Sequence, residues 1–135
     1  MRCYRDLLVW QRAMALIVAT YRLAARLPPE ERFELSSQLR RAAISVAANI
    51  AEGHGRASTR EYLWFLSVAT GSLMELETLV LAAQHLGLAP AAEAERLLGS
   101  TAEVSKMLAG LRRGLRRRVA CVGSTRRHPS SPPNP

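Results

Sequence analysis

Residues 35–53 read LSSQLRRAAISVAANIAEG, and within them the spacing of Leu35, Leu39, Ala42, Val46 and Ile50 decides the fold. Apolar positions that recur every three or four residues share one face of an α-helix, whereas a strand would alternate them. Gly53-His54-Gly55 supplies glycines of the kind that commonly close a helix, so a helix is predicted from near Glu34 to near Glu52. The period continues on both sides. Upstream, Leu7, Trp10, Met14, Ile17, Tyr21 and Ala24 form a stripe, predicting a helix from Arg5 to Arg26 that Pro28 and Pro29 stop. Downstream, Ser58 with Glu61 three positions on has the capping-box spacing and introduces Leu63, Leu66, Ala69, Leu73, Leu76, Val80 and Ala83, with Gly87 at the end. Pro90 suits a first helical turn, and Ala94, Leu97, Thr101, Val104, Leu108, Leu111 and Leu115 follow on one face. Beyond Arg118 the period fails.

Four amphipathic segments with short Pro- or Gly-marked connections predict an all-α protein: an antiparallel up-down-up-down four-helix bundle over residues 1–118. At 135 residues and 48% hydrophobic, the chain can bury one core. Residues 119–135 hold four prolines and few apolar side chains, and are expected to form a disordered, basic Pro/Ser-rich tail. The longest apolar stretches carry Arg, Glu or Gln at helical intervals, so no membrane span is expected. The first residues lack the pattern of a signal peptide, and a cytoplasmic protein is expected. Cys3 and Cys121 fit neither a disulfide framework nor zinc-ligand spacing and are expected as reduced thiols.

The charge of +8 is informative once it is located. Residues 1–103 hold eleven arginines and all eleven acids, whereas residues 104–135 hold Lys106 and seven arginines with no acid. Arg112, Arg113, Arg116, Arg117 and Arg118, extended by Arg126 and Arg127, therefore make a cationic block on a balanced body. Clustered positive charge favours a polyanion, because counterion release rewards it. A solvated tail that only aids solubility is the plainer alternative.

The predicted second helix also carries a polar stripe, Gln38, Arg41, Ser45, Asn49 and Glu52, flanked by Ala42, Ala43, Ala47 and Ala48. Small residues let another backbone come close. Ser72 and Glu75 lie within a mostly apolar surface of the third helix, so some of these groups are expected to pair inside the protein or at a subunit contact. The pair expected first is Glu75 with Arg40 or Arg41.

These residues carry a resemblance. Tyr4-Arg5-Asp6-Leu7 with Trp10-Gln11, Ser37-Gln38-Leu39-Arg40-Arg41-Ala42, Ser45-Val46, Asn49-Ile50-Ala51-Glu52-Gly53 and Arg56 are similar to the bacterial four-helix-bundle family first noticed as proteins encoded in intervening sequences of 23S rRNA genes. Gly71 to Thr78 resembles that family's second signature, and Lys106 to Arg112 its closing segment. The resemblance implies a homo-oligomer, a pentameric ring, and kinship with accessory proteins of diversity-generating retroelements, whose basic surfaces engage RNA and a reverse transcriptase. Glu34, Ala47-Ala48 and the segment after Arg118 depart from the family pattern.

No catalytic constellation emerges from the residues. His54, His85 and His128 share no face at metal-ligand spacing, there is no Glu-x-x-His pair for a di-iron site, and no nucleophile motif is present. A non-enzymatic protein without metal or cofactor is expected. Two functions remain: an oligomer that binds RNA, or less favourably DNA, through backbone contacts, and a protein-interaction scaffold for a partner enzyme such as a reverse transcriptase. Trp10, Tyr21, Phe33, Tyr62, Trp64 and Phe65 are assigned mainly to core faces, which argues against base readout. Leu8 and Val18, with Trp64, Phe65 and Val68, exceed a single stripe and call for a partner surface.

Overall fold

A computed structural model describes residues 3–125, which fold into α1 (Leu8–Arg26), α2 (Leu35–His54), α3 (Thr59–His85) and α4 (Ala91–Thr125). Each helix packs on the next, α4 closes back on α1, and the pairs α1–α3 and α2–α4 are diagonal. This is the antiparallel bundle that the spacing predicts. Its centre is filled by Leu16, Leu23, Leu39, Val46, Ile50, Leu66, Leu73, Leu76, Val80, Val104 and Leu108, all sealed from solvent.

Local chemistry sets the helix ends. The N-terminal stretch forms a 3-10 turn over Tyr4–Asp6, and an extended Leu7 separates it from α1, so the helix begins later than Arg5. Gln11 holds this turn by donating from Nε2 to the Arg5 carbonyl at 2.8 Å. Leu27, before Pro28, is extended, as the proline ring requires. Ser58 Oγ accepts from the Glu61 backbone N–H at 3.1 Å and caps α3. At the other end Gly87 takes φ +69, its N–H donates to Gln84 O and that of Leu88 to Ala83 O, the pairing of a Schellman stop.

Two expectations need correction. In α1 the core stripe is Val9, Ala13, Leu16, Thr20, Leu23 and Ala24, while Met14 and Tyr21 are exposed and Trp10 and Ile17 half-buried. Two stripes of equal spacing run along this helix, and the buried one contains a small and a polar residue. Thr20 is tolerated there because its hydroxyl donates to Leu16 O at 2.7 Å. The second correction is at the C-terminus, where α4 continues through residues 119–125 instead of giving way to tail at residue 119. Extending an existing helix costs little per residue, and no proline intervenes before Pro129. Residues 126–135, with the rest of the expected tail, lie outside the described residues.

Helix α3 carries apolar residues outside its buried stripe. By length and composition it is apolar enough to cross a bilayer, with a mean hydropathy of 1.4 over its most apolar window, although its inner face packs in the bundle. A helix that is apolar on both sides has a second surface to cover. Trp64 is 61% exposed and Met74 63%, and the outward positions Trp64, Ser67, Gly71, Met74, Thr78 and Leu81 repeat every three or four residues. On the diagonal helix Met14, Val18 and Tyr21 form a shorter exposed stripe of the same kind.

Gly53 does not stop α2 with a left-handed turn; the helix ends at His54, and Gly55 caps it in a right-handed conformation. Its role is spatial. A Cβ at Gly53 would lie 2.8 Å from Phe65 Cβ and 2.8 Å from Tyr62 Cδ2, so α3 rests directly on the α2 backbone there. Gly53→Ala should therefore destabilise the fold by about 1–3 kcal/mol, as overpacking does. Gly99→Ala, where a Cβ meets nothing within 4 Å, should be neutral or stabilising by up to about 1 kcal/mol. Urea unfolding of the two variants checks this, and equal shifts would reject the close approach.

Candidate nucleic-acid interface

The polar stripe of α2 divides into two parts. Ser45, Asn49 and Ser72 come together: the Ser45 and Ser72 hydroxyls are 2.7 Å apart, and Asn49 Nδ2 donates to Ser45 O at 2.8 Å and to Ser45 Oγ at 3.0 Å. Accepting from Asn49 leaves Ser45 its own proton to give to Ser72, and three half-buried polar groups are satisfied across the α2–α3 contact. Gln38, Arg41, Glu52 and Glu75, by contrast, are exposed. The expected pair of Glu75 with Arg40 or Arg41 does not form within the chain. Arg40 turns the other way, toward α1, with its guanidinium 5.7 Å from the Tyr21 ring centre and Nη2 at 3.5 Å from Arg32 O. Ser72 faces α2, and Glu75, one turn on, has already rotated outward. The ion pairs among the described residues join α1 to α4 instead: Arg12 with Glu103 at 3.5 Å and Arg26 with Glu93 at 3.3 Å.

The basic run lies on the last turns of α4. Leu115 is buried, Val119 half-buried, and Arg116, Arg117, Arg118, Ala120 and Cys121 are exposed, so the helix backbone extends roughly 15 Å past Leu115, the last fully buried of its described side chains. Arg113, Arg116 and Arg117 are exposed on one side. Arg112 is not equivalent to them. It is half-buried against α3, donating from Nη1 to Thr70 Oγ1 at 3.4 Å and from Nη2 to Ser67 Oγ at 3.2 Å, while its Nε is buried without a partner. It ties α4 to α3 and orients the run, and its free capacity for a phosphate is reduced. Arg118 emerges on the opposite flank of α4, beside His54 and Tyr62. Arg126 and Arg127 lie outside the described residues.

The aromatic residues are less hidden than their spacing predicts. Tyr21, Phe33 and Trp64 are exposed, Trp10, Tyr62 and Phe65 half-buried. Arg32 lies over Phe33 and Arg56 over Phe65, 5.3 and 4.6 Å from the ring centres. Burial pushes the Tyr62 phenol above the ordinary tyrosine range, which keeps it a neutral donor.

Fold and site together define a class: an antiparallel four-helix bundle whose last helix outruns its neighbours and carries the unbalanced positive charge. The family model for 23S rRNA-intervening sequence proteins matches residues 5–110, and the chain belongs to that family. A crystal structure of a protein of unknown function from the S23 ribosomal protein family of Bacteroides thetaiotaomicron has the same fold, with a TM-score of 0.72 at 22% identity over 77% of this chain and 97% of that one. No curated protein matches. The family match ends at residue 110, before the first arginine of the basic run.

Because Glu75 is exposed and Ser72 is paired, Glu75→Ala should change stability by less than about 0.5 kcal/mol, whereas Ser72→Ala should cost about 0.5–1.5 kcal/mol. Thermal unfolding of both variants tests the arrangement; a larger loss from Glu75→Ala would restore the buried ion pair.

Proposed function

We propose that this protein is a non-enzymatic homo-oligomer that binds RNA through phosphate contacts from the end of α4. The observation that carries the reading is the separation of charge: a body whose eleven arginines match its eleven acids, and a helix end where Arg113, Arg116 and Arg117 stand exposed with no acid after Glu103. Three exposed guanidiniums within two turns offer bidentate donors to phosphate oxygens. Such contacts position a strand without reading its bases. The kinship that the sequence resemblance implies, with accessory proteins whose basic surfaces engage RNA, supports RNA over DNA.

Oligomerisation is supported by the exposed stripes on α1 and α3. These helices are diagonal in the bundle, so a contact from the α1 face of one copy to the α3 face of the next is heterologous, and a heterologous contact that closes makes a ring. A ring multiplies a modest cationic surface by its subunit number, which raises avidity without new contacts. The scaffold alternative, in which the same surfaces hold a partner enzyme, draws on the same exposed faces and predicts no nucleic-acid binding.

Replacing Arg113, Arg116 and Arg117 with Gln keeps helix propensity and removes three charges per subunit. Affinity for a single-stranded RNA should fall at least tenfold at moderate salt, and the slope of log affinity against log salt should become shallower. Arg112 is left in place because its loss would loosen α4 from α3. Fluorescence anisotropy over a salt series gives both quantities, and light scattering shows whether the assembly persists. Parent protein that ignores RNA at low salt would favour the scaffold, and a triple variant that binds as well as the parent would overturn the assignment of RNA binding to the end of α4.

A further inference from the structure

The outward stripe of α3 is not uniform along its length. From Trp64 to Leu81 it runs for roughly 25 Å, whereas the exposed stripe of α1, Met14 to Tyr21, covers roughly 10 Å, the length of Met74 to Leu81 alone. One α1 stripe cannot cover both ends, and charge decides which end it leaves. Around Trp64 the side chains are cationic: Arg60 is exposed one turn before it, and Arg56 lies over Phe65, the next residue. Helix α1 carries Arg12, Arg22 and Arg26 and no acid, so it offers these arginines no partner. An α1 stripe seated on Met74 and Leu81 leaves Trp64, roughly 15 Å along the helix, uncovered.

Helix α4 brings its basic run to the same place. Arg112 Nη2 donates to Ser67 Oγ at 3.2 Å, which fixes the register of these two antiparallel helices. One turn further along α4 is exposed Arg116, and one turn back along α3 are Leu63 and Trp64, so Arg116 stands at the level of Trp64. The indole is braced from below. It meets Phe65 edge to face, with ring centres 4.9 Å apart and planes at 88°, and a Cβ at Gly53 would lie 2.8 Å from Phe65 Cβ, so Phe65 is itself held against α2. At 61% exposure most of the Trp64 side chain nevertheless lies in solvent. Two exposed acids bound the patch on the α2 side, Glu61 one turn before Phe65 and Glu52 beside Gly53, and Arg56 offsets one of them. A fixed aromatic ring among guanidiniums suits a ligand with flat apolar faces on an anionic chain.

We infer that this patch binds single-stranded RNA, with one base stacked on Trp64 and the flanking phosphates on Arg60 and Arg116. The site rests on the RNA-binding reading of the α4 end and names the form of RNA that end would take. A base inside a duplex is stacked on both faces, so only an unpaired base can use Trp64. Every base has a π-face, and stacking therefore adds affinity with little dependence on sequence, in keeping with phosphate contacts that read no bases.

Fluorescence anisotropy on the full chain, with a labelled oligouridylate and an abasic ribose-phosphate strand of the same length, tests this. Trp64→Ala should weaken binding to the oligouridylate roughly fivefold to a hundredfold, the loss of one stack, and leave binding to the abasic strand unchanged. The slope of log affinity against log salt should stay the same, because the ring carries no charge. Trp64→Phe should keep most of the affinity, and Arg60→Gln should weaken both strands and make the slope shallower. RNA should quench the tryptophan emission of the parent but not that of Trp64→Ala, whose remaining Trp10 is half-buried against Tyr4. Light scattering should find Trp64→Ala in the same assembly state as the parent. A Trp64→Ala variant that binds oligouridylate like the parent, while replacement of Arg113, Arg116 and Arg117 abolishes binding, overturns the stacking site and leaves the RNA reading standing. Equal losses on both strands, or a change of assembly state, make Trp64 a structural or subunit-contact residue and also overturn the site. A parent that binds the abasic strand as tightly as the oligouridylate removes the site alone, and one that binds neither strand at low salt removes the RNA reading with it.

Discussion

The α2–α3 hairpin depends on the side chain that Gly53 lacks. With Phe65 and Tyr62 resting against that α-carbon, the two helices come close enough for the short side chains of Ser45 and Ser72 to meet directly at 2.7 Å. A wider spacing would need longer groups to bridge it, and the Asn49–Ser45–Ser72 chain of hydrogen bonds could not close. The opposite flank of α2 is built in the same way, with buried Ala43 and Ala47 beside Ser36, whose hydroxyl donates to Ala24 O of α1 at 3.3 Å. A helix clad in small residues on both flanks can be approached from both sides, and that is what makes α2 the element on which α1 and α3 are assembled. The consequence reaches the bundle end. Tyr62 is wedged over Gly53 and against His54, so the placement of its ring at the bundle end follows from the same close contact.

What the sequence makes legible depends on how far each helix is amphipathic. In α2 and α4 one stripe carries most of the larger apolar residues, and in these helices and on the inner face of α3 Leu39, Val46, Ile50, Leu66, Leu73, Leu76, Leu97, Val104 and Leu108 are buried where their spacing places them. In α1 the larger residues, Trp10, Met14, Ile17 and Tyr21, lie on a flank, and Ala13 and Thr20 occupy the core. Spacing reports the period of a stripe but not which of two stripes turns inward; the partner surfaces decide that. Helices α2 and α4 present leucine and valine to the centre, and small groups opposite them complete the packing.

The site is less legible than the fold, for a related reason. Five arginines between residues 112 and 118 look equivalent in sequence, yet rotation around the helix gives them different roles. Arg112 is spent on Ser67 and Thr70, Arg113, Arg116 and Arg117 remain outward, and Arg118 lies on the opposite flank beside His54 and Tyr62. Glu75 shows the reverse case. Its position within an apolar helix suggests a buried partner, but the apolar surface around it includes an outward face. A single chain's periodicity treats every apolar face as core, and α3 has two.

That second face of α3 gives the charge distribution its meaning. In the proposed assembly a bundle with apolar stripes on two diagonal helices would associate through α1 and α3, and such contacts would leave α2 and α4 uncovered. Helix α2 presents Gln38, Arg41 and Glu52, a mixed set with no strong field. Helix α4 presents arginines, and Arg113, Arg116, Arg117 and Arg118 are exposed on its last turns. Had the same arginines been spread over α1 or α3, burying those faces would have desolvated them at a cost of several kcal/mol each. On the proposed function, confining the cations to the end of the one helix that outruns the others would let the apolar faces associate while the surface proposed to hold phosphates stays open.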